Sequence, residues 1–533
     1  MRRIRAAVFL AAGAVAVQSC GSSTDTASKT MPNGGTGGAL PEAGASSTEG
    51  GMTGAGAGGL PGGGAAGAVG ESGASGEGGA AGQSSALQMM FAWQVSYDQS
   101  YAAHVAVDSQ GAAIVSGTFF DSKDITLGAT VLKSHGAADV MLSRVLPNSD
   151  VDWARSYGAA GEDYPVTFVL DAQDRIFMTG LYNGTGNLGG ADFPPFMGTA
   201  GRYDASVAGF SKTGDPRWSH TINSDQEAFA GSTLAVDSES SVYVPGSYLG
   251  GTNIGQFSHT ALGSWDAFFA RYDEPDGALP GALAFGGTGE DRATAMLLTS
   301  TDLILIGKFS DSVIFPTAPQ KKTLTSAGGT DVFIARVALD GTMTSVVRFG
   351  GVNDEEVTGA RLDSAGRVVL AGTFTSPSLS VLGGKALQNA GATDFFVTRL
   401  SPALEHEWSV RFGGDAGDYV RDLAILPDDT LAITGEFRDH LQLGDKGWDA
   451  VATAGVSPTD IDFFVATLDG AGRPTWSYAA GGPGAERGLG IAADAVGGLY
   501  FTATFTSSID FGGGKVLTAA AGQFASALVR YVP

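Results

Sequence analysis

The sequence predicts an all-β protein: a seven-bladed β-propeller of four-stranded blades, preceded by a disordered tether rich in Gly, Ala and Ser. One observation is a strand in which a small residue is followed two positions later by an aromatic residue, a pattern that occurs seven times. The small residues are 63, 66, 61, 65, 63 and 68 positions apart. A fixed period of this size indicates a repeat architecture. Each repeat also holds four short runs typical of strands, and four-stranded sheets around a central channel make a propeller.

The seven copies share the small residue and the aromatic residue, and the residue between these two varies from copy to copy. In chain order they are SGTF (Gly117, Phe119), TGLY (Gly180, Tyr182), PGSY (Gly246, Tyr248), IGKF (Gly307, Phe309), AGTF (Gly372, Phe374), TGEF (Gly435, Phe437) and TATF (Ala503, Phe505). We expect the small residue where neighbouring blades pack closely, with the aromatic residue further out on the same face.

The fifth repeat shows the four predicted strands most clearly. They are TGARLDS, RVVLAGTF, DFFVTRL and EWSVRFGG, separated by turns and by the Gly-rich excursion LSVLGGKALQNAGATD. None of these runs has helical length or a period of 3.6 residues. The phrase RFGG at Arg348–Gly351 and Arg411–Gly414 ends the fourth strand. Its glycines predict a structural joint that returns the chain to the channel.

These motifs resemble the bacterial seven-bladed propeller repeat abbreviated SBBP. The resemblance rests on W-x-x-x-FGG-x-x-x-D, an apolar strand ending in D-x-x-G, G-x-F, and D-x-F followed by an apolar residue, and covers residues 88–533. The second and third repeats lack FGG, and in the seventh Gln523 replaces the repeated Asp. Closure with six or eight blades is the alternative. Because the last repeat lacks a fourth strand, we predict that Phe91–Tyr97 completes it.

The N-terminus predicts export. Arg2, Arg3 and Arg5 precede an apolar run from Ala6 to Val17, which is too short to span a bilayer. The only cysteine, Cys20, lies three positions after the end of this run. This arrangement resembles the bacterial lipoprotein signal, which implies cleavage after residue 19, lipidation of Cys20 and anchoring in the cell envelope, with Gly21 pointing to the outer membrane of a Gram-negative bacterium. The alternative is an ordinary signal peptide.

Residues 20–86 form the predicted tether, and residues 87–533 the propeller. Between Gly21 and Ala86 no Phe, Trp or Tyr occurs, and 22 of the 66 residues are Gly. Such a segment cannot bury enough apolar surface to fold. The net charge of −24 disfavours binding to nucleic acid, which repels an acidic protein.

No residue set predicts a catalytic site, a metal site or a cofactor. The six histidines stand at unmatched positions of the repeats: His104, His135, His220, His259, His406 and His440. We interpret them as structural or surface residues. A thiol nucleophile, a G-x-S-x-G turn and a phosphate-binding loop are absent from the sequence.

Two sets of carboxylates recur with the repeats. The first opens the inner strand of a unit: Asp163, Glu227, Asp291, Glu355, Asp418 and Glu486. The second opens the third strand: Asp139, Asp204, Asp266, Asp331, Asp394 and Asp462. We expect each set to form a ring, the second one accepting backbone N–H bonds at turns. Calcium binding at the channel mouth by the first set is a less favoured alternative.

Two repeats carry long insertions with aromatic residues. Asn183–Tyr203 contains Phe193 and Phe196, and Gly444–Ile461 contains Trp448. Loops on a rigid scaffold often carry recognition, although covering the outer blade edges is the favoured role of these rings. The sequence thus favours a non-enzymatic envelope lipoprotein whose propeller binds an unidentified protein or polysaccharide. A glycan-active propeller and a structural spacer are the alternatives.

Overall fold

The computed structural model describes residues 90–98, 100–120, 124–158, 160–184, 202–444, 446–449, 461–482, 484–511, 516–520 and 523–532. The all-β class is confirmed in these ranges, which consist of strands, turns and irregular segments. A helix long and apolar enough to cross a bilayer does not occur among them.

The strands follow one another in sets that match the sequence repeats, named units 1 to 7. The first strand, β1 (Met90–Asp98), precedes unit 1, which contains β2 (Ser100–Val107), β3 (Ala113–Phe120), β4 (Ile125–Leu127), β5 (Thr130–Leu132), β6 (Ala138–Val145) and β7 (Val151–Tyr157). Unit 2 contains β8 (Glu162–Leu170), β9 (Ile176–Asn183), β10 (Asp204–Phe210) and β11 (Pro216–Ser224). Unit 3 contains β12 (Glu227–Ala230), β13 (Ala235–Val236), β14 (Val242–Ile254), β15 (Phe257–Asp273) and β16 (Ala278–Phe285).

The later units keep the same order of strands. Unit 4 contains β17 (Asp291–Leu298), β18 (Asp302–Phe309), β19 (Ser312–Phe315), β20 (Lys322–Thr325), β21 (Asp331–Ala338) and β22 (Met343–Phe349). Unit 5 contains β23 (Glu355–Leu362), β24 (Val368–Phe374), β25 (Ser378–Leu379), β26 (Leu387–Gln388), β27 (Asp394–Leu400) and β28 (His406–Phe412). Unit 6 contains β29 (Tyr419–Ile425), β30 (Leu431–Phe437), β31 (His440–Leu443), β32 (Lys446–Asp449), β33 (Asp462–Leu468) and β34 (Pro474–Ala480). Unit 7 contains β35 (Arg487–Ala493), β36 (Leu499–Phe505), β37 (Ser508–Asp510), β38 (Val516–Thr518) and β39 (Ala525–Val532).

The main strands of units 4, 5 and 6 form separate antiparallel sheets in the orders β17-β18-β21-β22, β23-β24-β27-β28 and β29-β30-β33-β34. A fourth sheet has the order β35-β36-β39-β1, in which Ser96 lies opposite Ala527. This pairing confirms that the segment Phe91–Tyr97 completes the last unit. Units 1 to 3 are joined into one network of thirteen strands by pairing of β6 with β8 and of β11 with β14.

The first strands of the units contact one another in a closed series. We call β2, β8, β12 with β13, β17, β23, β29 and β35 the inner strands. Among them β2 contacts β8, β8 contacts β13, β13 contacts β17, β17 contacts β23, β23 contacts β29, β29 contacts β35, and β35 contacts β2. Apolar side chains fill the space between adjacent units, as Ile306, Leu370 and Phe396 do between units 4 and 5. Burial of each such side chain stabilises the fold by about 1.5–3 kcal/mol.

Strand register explains why two of the repeated motifs occur together. The aromatic residue of G-x-F lies opposite the Asp of D-x-F, as in Phe309 with Asp331 and Phe374 with Asp394. The Gly then lies opposite the Phe of D-x-F, as Gly307 does opposite Phe333. A Cβ on Gly307 would lie 2.6 Å from that ring and 2.0 Å from the carbonyl oxygen of Arg292. The Gly is therefore required by contacts inside its own unit, and the expectation of a contact between blades was wrong.

The same register corrects the alignment of unit 7. Phe505 lies opposite Ala525, and Ala503 lies opposite Ala527. Ala525 therefore occupies the place of the repeated Asp, and the assignment of Gln523 to it was wrong by two residues. The interval from the aromatic residue to this position is 20 residues in units 1, 5 and 7, so counting from Phe505 identifies Ala525.

The Gly-rich excursions between second and third strands contain strands that the sequence did not predict. Among the residues that the structure describes, two-stranded hairpins occur there in five units: β4-β5, β19-β20, β25-β26, β31-β32 and β37-β38. In unit 3 the hairpin is continuous with β14 and β15, so that Thr252 lies opposite His259. These strands are only two to four residues long, too short for a period of two to be recognised.

Candidate functional site

The inner strands surround a cavity of about 480 Å³, here called the central cavity. Each of the seven units contributes the residue that precedes the turn after its inner strand: Val107, Leu170, Val236, Leu298, Leu362, Ile425 and Ala493. The wall at this level is therefore apolar. Because every unit supplies one side chain at each level, a residue that differs from its counterparts is easily identified.

Three residues of the inner strands differ from their counterparts. His104 and Asp422 occupy the same position in units 1 and 6, counted back from the following turn. The other units have Thr, Ala or Gly at this position: Thr167, Thr233, Ala295, Gly359 and Gly490. Arg361, two positions nearer the turn in unit 5, replaces the Ala, Val or Leu of the other units. Of these three residues, Arg361 lines the cavity.

The structure brings these three residues together. Arg361 Nη2 donates to Asp422 Oδ1 at 3.0 Å, and Arg361 Nη1 donates to the carbonyl oxygen of Ala360 at 2.9 Å. Asp422 Oδ1 also accepts from the N–H of Leu423 at 2.8 Å, and its Oδ2 accepts from the N–H of Ile491 at 3.0 Å. Asp422 thus fixes the guanidinium of Arg361 while its own charge is shared with backbone donors.

Glycine and a repeated β-bulge make room for this arrangement. The inner strands are bulged at Ala102/His104, Val357/Gly359, Val420/Asp422 and Gly488/Gly490. A Cβ on Gly490 would lie 2.8 Å from the carbonyl oxygen of Ala103 and 3.1 Å from the Cα of His104. Bulges redirect side chains at the rims of closed sheets and beside functional sites. Here they set the side chains of units 1, 5 and 6 toward one another.

The charges of the group are unequal. Burial lowers the pKa of His104 to about 4, an effect that Asp422 opposes and Arg361 reinforces. The imidazole is consequently neutral near pH 7. Arg361 is the more accessible member of its ion pair, with 35% of its side chain exposed against 16% for Asp422. The group therefore offers a ligand one cationic donor held in a fixed orientation.

The carboxylates of the first set are buried, with one exception. Asp163, Asp291, Glu355, Asp418 and Glu486 are at most 2% exposed. In the FGG-x-x-x-D motif the acid accepts the N–H of the second Gly, as in Gly287 to Asp291 and Gly414 to Asp418, both at 2.7 Å. Glu227 departs from the set: it is half-buried and stands one register position away, opposite Leu249 rather than Tyr248.

Buried acids of the first set lie close to the second-set Asp of the preceding unit. Gly158 lies beside both Asp139 and Asp163, and Asp266 raises the pKa of Asp291, although burial is the larger cause. The pKa values of Asp291, Glu355 and Asp418 rise to about 7. In the second set, Asp331 and Asp394 accept backbone N–H bonds from Ala327 and Ala390, as predicted for that set.

Charged residues also join units at the variable position of G-x-F, where units 1, 5 and 7 have Thr. Lys308 of unit 4 lies 3.0 Å from Glu356 of unit 5. Glu436 of unit 6 lies 2.9 Å from Arg487 of unit 7 and 2.6 Å from Arg421 of its own strand pair. The two junctions carry opposite polarity, which favours one order of neighbouring units.

The other predicted site residues lie apart. Cys20, Phe193 and Phe196 fall outside the described residues, whereas Trp448 lies on β32. His220 stacks on Tyr272 at 5.7 Å, and His406 bonds to Ser409 at 2.8 Å. In the part of the chain that the structure describes, no three His, Cys, Asp or Glu side chains are grouped as metal ligands.

Comparison with known proteins gives distant similarities. No family model matches the chain. Regulatory protein FlaEY of Caulobacter vibrioides is 23% identical over 361 residues, which are 64% of this chain and 37% of that protein. The WD40 domain of Neurospora crassa Pan2 is 10% identical at a TM-score of 0.41, covering 81% of this chain and 90% of its own. The polysaccharide lyase Uly1 is 9% identical at a TM-score of 0.41, covering 80% and 89% respectively.

Proposed function

We propose that this protein is a non-enzymatic lipoprotein of the cell envelope and that its seven units form a seven-bladed β-propeller that serves as a binding scaffold. A lipid on Cys20 would hold it in the membrane, and residues 20–86 would provide reach. The propeller would bind a protein or a polysaccharide of the envelope.

The main support is that the inner strands contact one another in a closed series around a cavity, with Arg361 on its wall and Asp422 bonded to that residue. A spacer that served only to fill distance would have no use for His104, Arg361 and Asp422 at positions that are otherwise small or apolar. Closed repeat architectures supply rigid surfaces for recognition while leaving few sheet edges exposed.

A glycan-active propeller finds less support. Hydrolysis of a glycosidic bond requires two carboxyl groups that reach the substrate. The recurrent pairs, such as Asp331 with Glu355, are at most 2% exposed and are engaged with the backbone of the unit junctions. They are therefore suited to holding units together, and binding is the better supported role.

The test begins with the full chain in its native cells. Metabolic labelling with a palmitate analogue should mark the wild type and leave the Cys20→Ala variant unmarked. Envelope extracts captured on the wild-type protein should yield one enriched protein or one polysaccharide, identified by mass spectrometry and sugar analysis. Trimming of the Asn183–Tyr203 insertion serves as the matched variant. Equal labelling of the wild type and Cys20→Ala would contradict lipidation of Cys20. If neither a protein nor a polysaccharide is enriched, a structural spacer is favoured.

A further inference from the structure

We propose that the central cavity binds one small apolar molecule that carries a single carboxylate, with that carboxylate bonded to Arg361. This inference goes beyond the scaffold function, because it concerns a small ligand inside the ring rather than a macromolecule on its surface. It also stands independently, since the two kinds of binding are measured by different experiments.

The size and the lining of the cavity define the apolar part of the ligand. Its volume of about 480 Å³ lies within the range of small-molecule sites, roughly 300–1,000 Å³. Val107, Leu170, Leu298, Leu362 and Ile425, which are partly exposed, contribute apolar surface from five different units. An aliphatic chain or a ring system would replace water against these walls, and burial of its apolar surface would drive binding.

Arg361 defines the polar part. It is the one charged side chain among the described residues that line the cavity. Two of its five N–H donors are used, by Ala360 and Asp422, and the others remain for a ligand. A planar guanidinium matches a carboxylate in a fork of two hydrogen bonds, a geometry that an ammonium group cannot supply.

Asp422 does not cancel this attraction. Its two oxygens are occupied by Arg361 and by the N–H groups of Leu423 and Ile491, which spread its charge over three donors. His104 is neutral near pH 7 and adds no second cation. With one cationic group among the described lining residues, a monocarboxylate is accommodated, whereas a second carboxylate would find no second cationic partner there.

The geometry also distinguishes this site from an ordinary ion pair between strands. Arg336 with Asp302 and Arg348 with Asp331 lie inside their own units and away from the cavity. Arg361 instead joins units 5 and 6 and lines the cavity. A residue that served only to fix neighbouring units would be expected to direct all its donors to the protein.

The experiment is isothermal titration calorimetry of the full-length protein with decanoate as the probe and 1-decanol as its uncharged counterpart. Three variants accompany the wild type. Arg361→Met keeps the apolar volume and removes the fork, and Arg361→Lys keeps the charge alone. Arg367→Met removes a guanidinium of the same unit that is paired with Asp363, at 2.6 Å and outside the cavity lining.

We expect decanoate to bind the wild type and Arg367→Met at one molecule per chain with equal affinity. Arg361→Met should weaken binding by about ten-fold or more, since a charge-assisted hydrogen bond is lost, and 1-decanol should bind equally to both. The affinity of Arg361→Lys for decanoate should lie between those of the wild type and Arg361→Met. If Arg361→Met fails to fold, the double variant Arg361→Met/Asp422→Asn removes both charges together and replaces it. Absence of decanoate binding to the folded wild type, or equal affinity of wild type and the folded variant, would overturn the proposal.

Discussion

Asp394 and Asp418, from adjacent units, both lie against Gly413. A Cβ on this glycine would lie 2.4 Å from Asp394 Oδ1 and 3.1 Å from Asp418 Oδ2. Burial, with the charge of Asp394 as a smaller cause, raises the pKa of Asp418 to about 7, so this carboxyl is partly protonated near neutral pH. The repeated joint between units is thus an acid pair as well as a Gly turn.

The acid pairs predict that stability falls as pH rises. Burial raises the pKa of Asp418, Asp291 and Glu355 to about 7 from an ordinary value near 4. For a raised carboxyl pKa, stabilisation is complete below the unfolded value and is lost as pH rises through the folded value, that is, from about pH 4 to pH 7. The melting temperature of the wild type, measured by calorimetry between pH 5 and pH 8, should fall as the pH rises.

The Asp418→Asn variant isolates the effect. Its amide can donate toward Asp394 as the protonated carboxyl would, so the variant should melt higher than the wild type at pH 8 and show a weaker pH dependence. His104, whose pKa is lowered, acts in the opposite direction below pH 6.5 and is the same in both proteins. An unchanged pH dependence in Asp418→Asn would show that the pair does not hold the proton.

Gly435 should tolerate no side chain. A Cβ there would lie 2.0 Å from the carbonyl oxygen of Tyr419 and 2.9 Å from the ring of Phe464. Gly435→Ala is expected to lower the free energy of unfolding by about 1–3 kcal/mol, as overpacking commonly does. Gly281→Ala, where nothing lies within 4 Å of the Cβ, is the matched control and should change stability by less than about 0.5 kcal/mol. Equal denaturation midpoints for the two variants would contradict the packing described here.

Glu436 should contribute more to the free energy of unfolding than an exposed charged residue does. Its side chain is buried with Arg421 and Arg487, which are 11% and 13% exposed. Glu436→Thr, which installs the residue of units 1, 5 and 7, leaves both guanidinium groups without this carboxylate and should cost about 3 kcal/mol in chemical denaturation. The exposed Glu239→Thr is the control. A loss no larger than that of the control would show that the junction of units 6 and 7 does not depend on the ion pairs.

Much of the fold could be predicted because the strands occur in the same order in each repeat. The period, the four strands of unit 5, the joint at RFGG and the final pairing of β1 with β39 all follow from local pattern. The reason for the Gly in G-x-F could not be predicted in the same way. It depends on which residue lies opposite across two strands, and Phe333 is 26 residues away from Gly307 in a register that the hairpin β19-β20 helps to set.

The candidate site was harder to predict than the fold. His104, Arg361 and Asp422 belong to three repeats, and each alone is an ordinary residue in an apolar strand. A signal was present, since alignment of the inner strands on their following turns shows that these positions are small or apolar in the other units. Spacing could not show that they meet, because this depends on the order in which inner strands contact around the cavity.

Closure of the ring is tested most directly by a disulfide between β1 and β39. Ser96 lies opposite Ala527 in this pairing, and opposed residues of antiparallel strands have the separation that a disulfide needs. Ser96→Cys and Ala527→Cys are combined in a Cys20→Ser background, with each single cysteine as a control. We expect an intramolecular disulfide, seen by mass spectrometry of the monomer, and a higher melting temperature for the oxidised double variant than for the reduced one. Free thiols after oxidation, or disulfides only between chains, would contradict the closed ring.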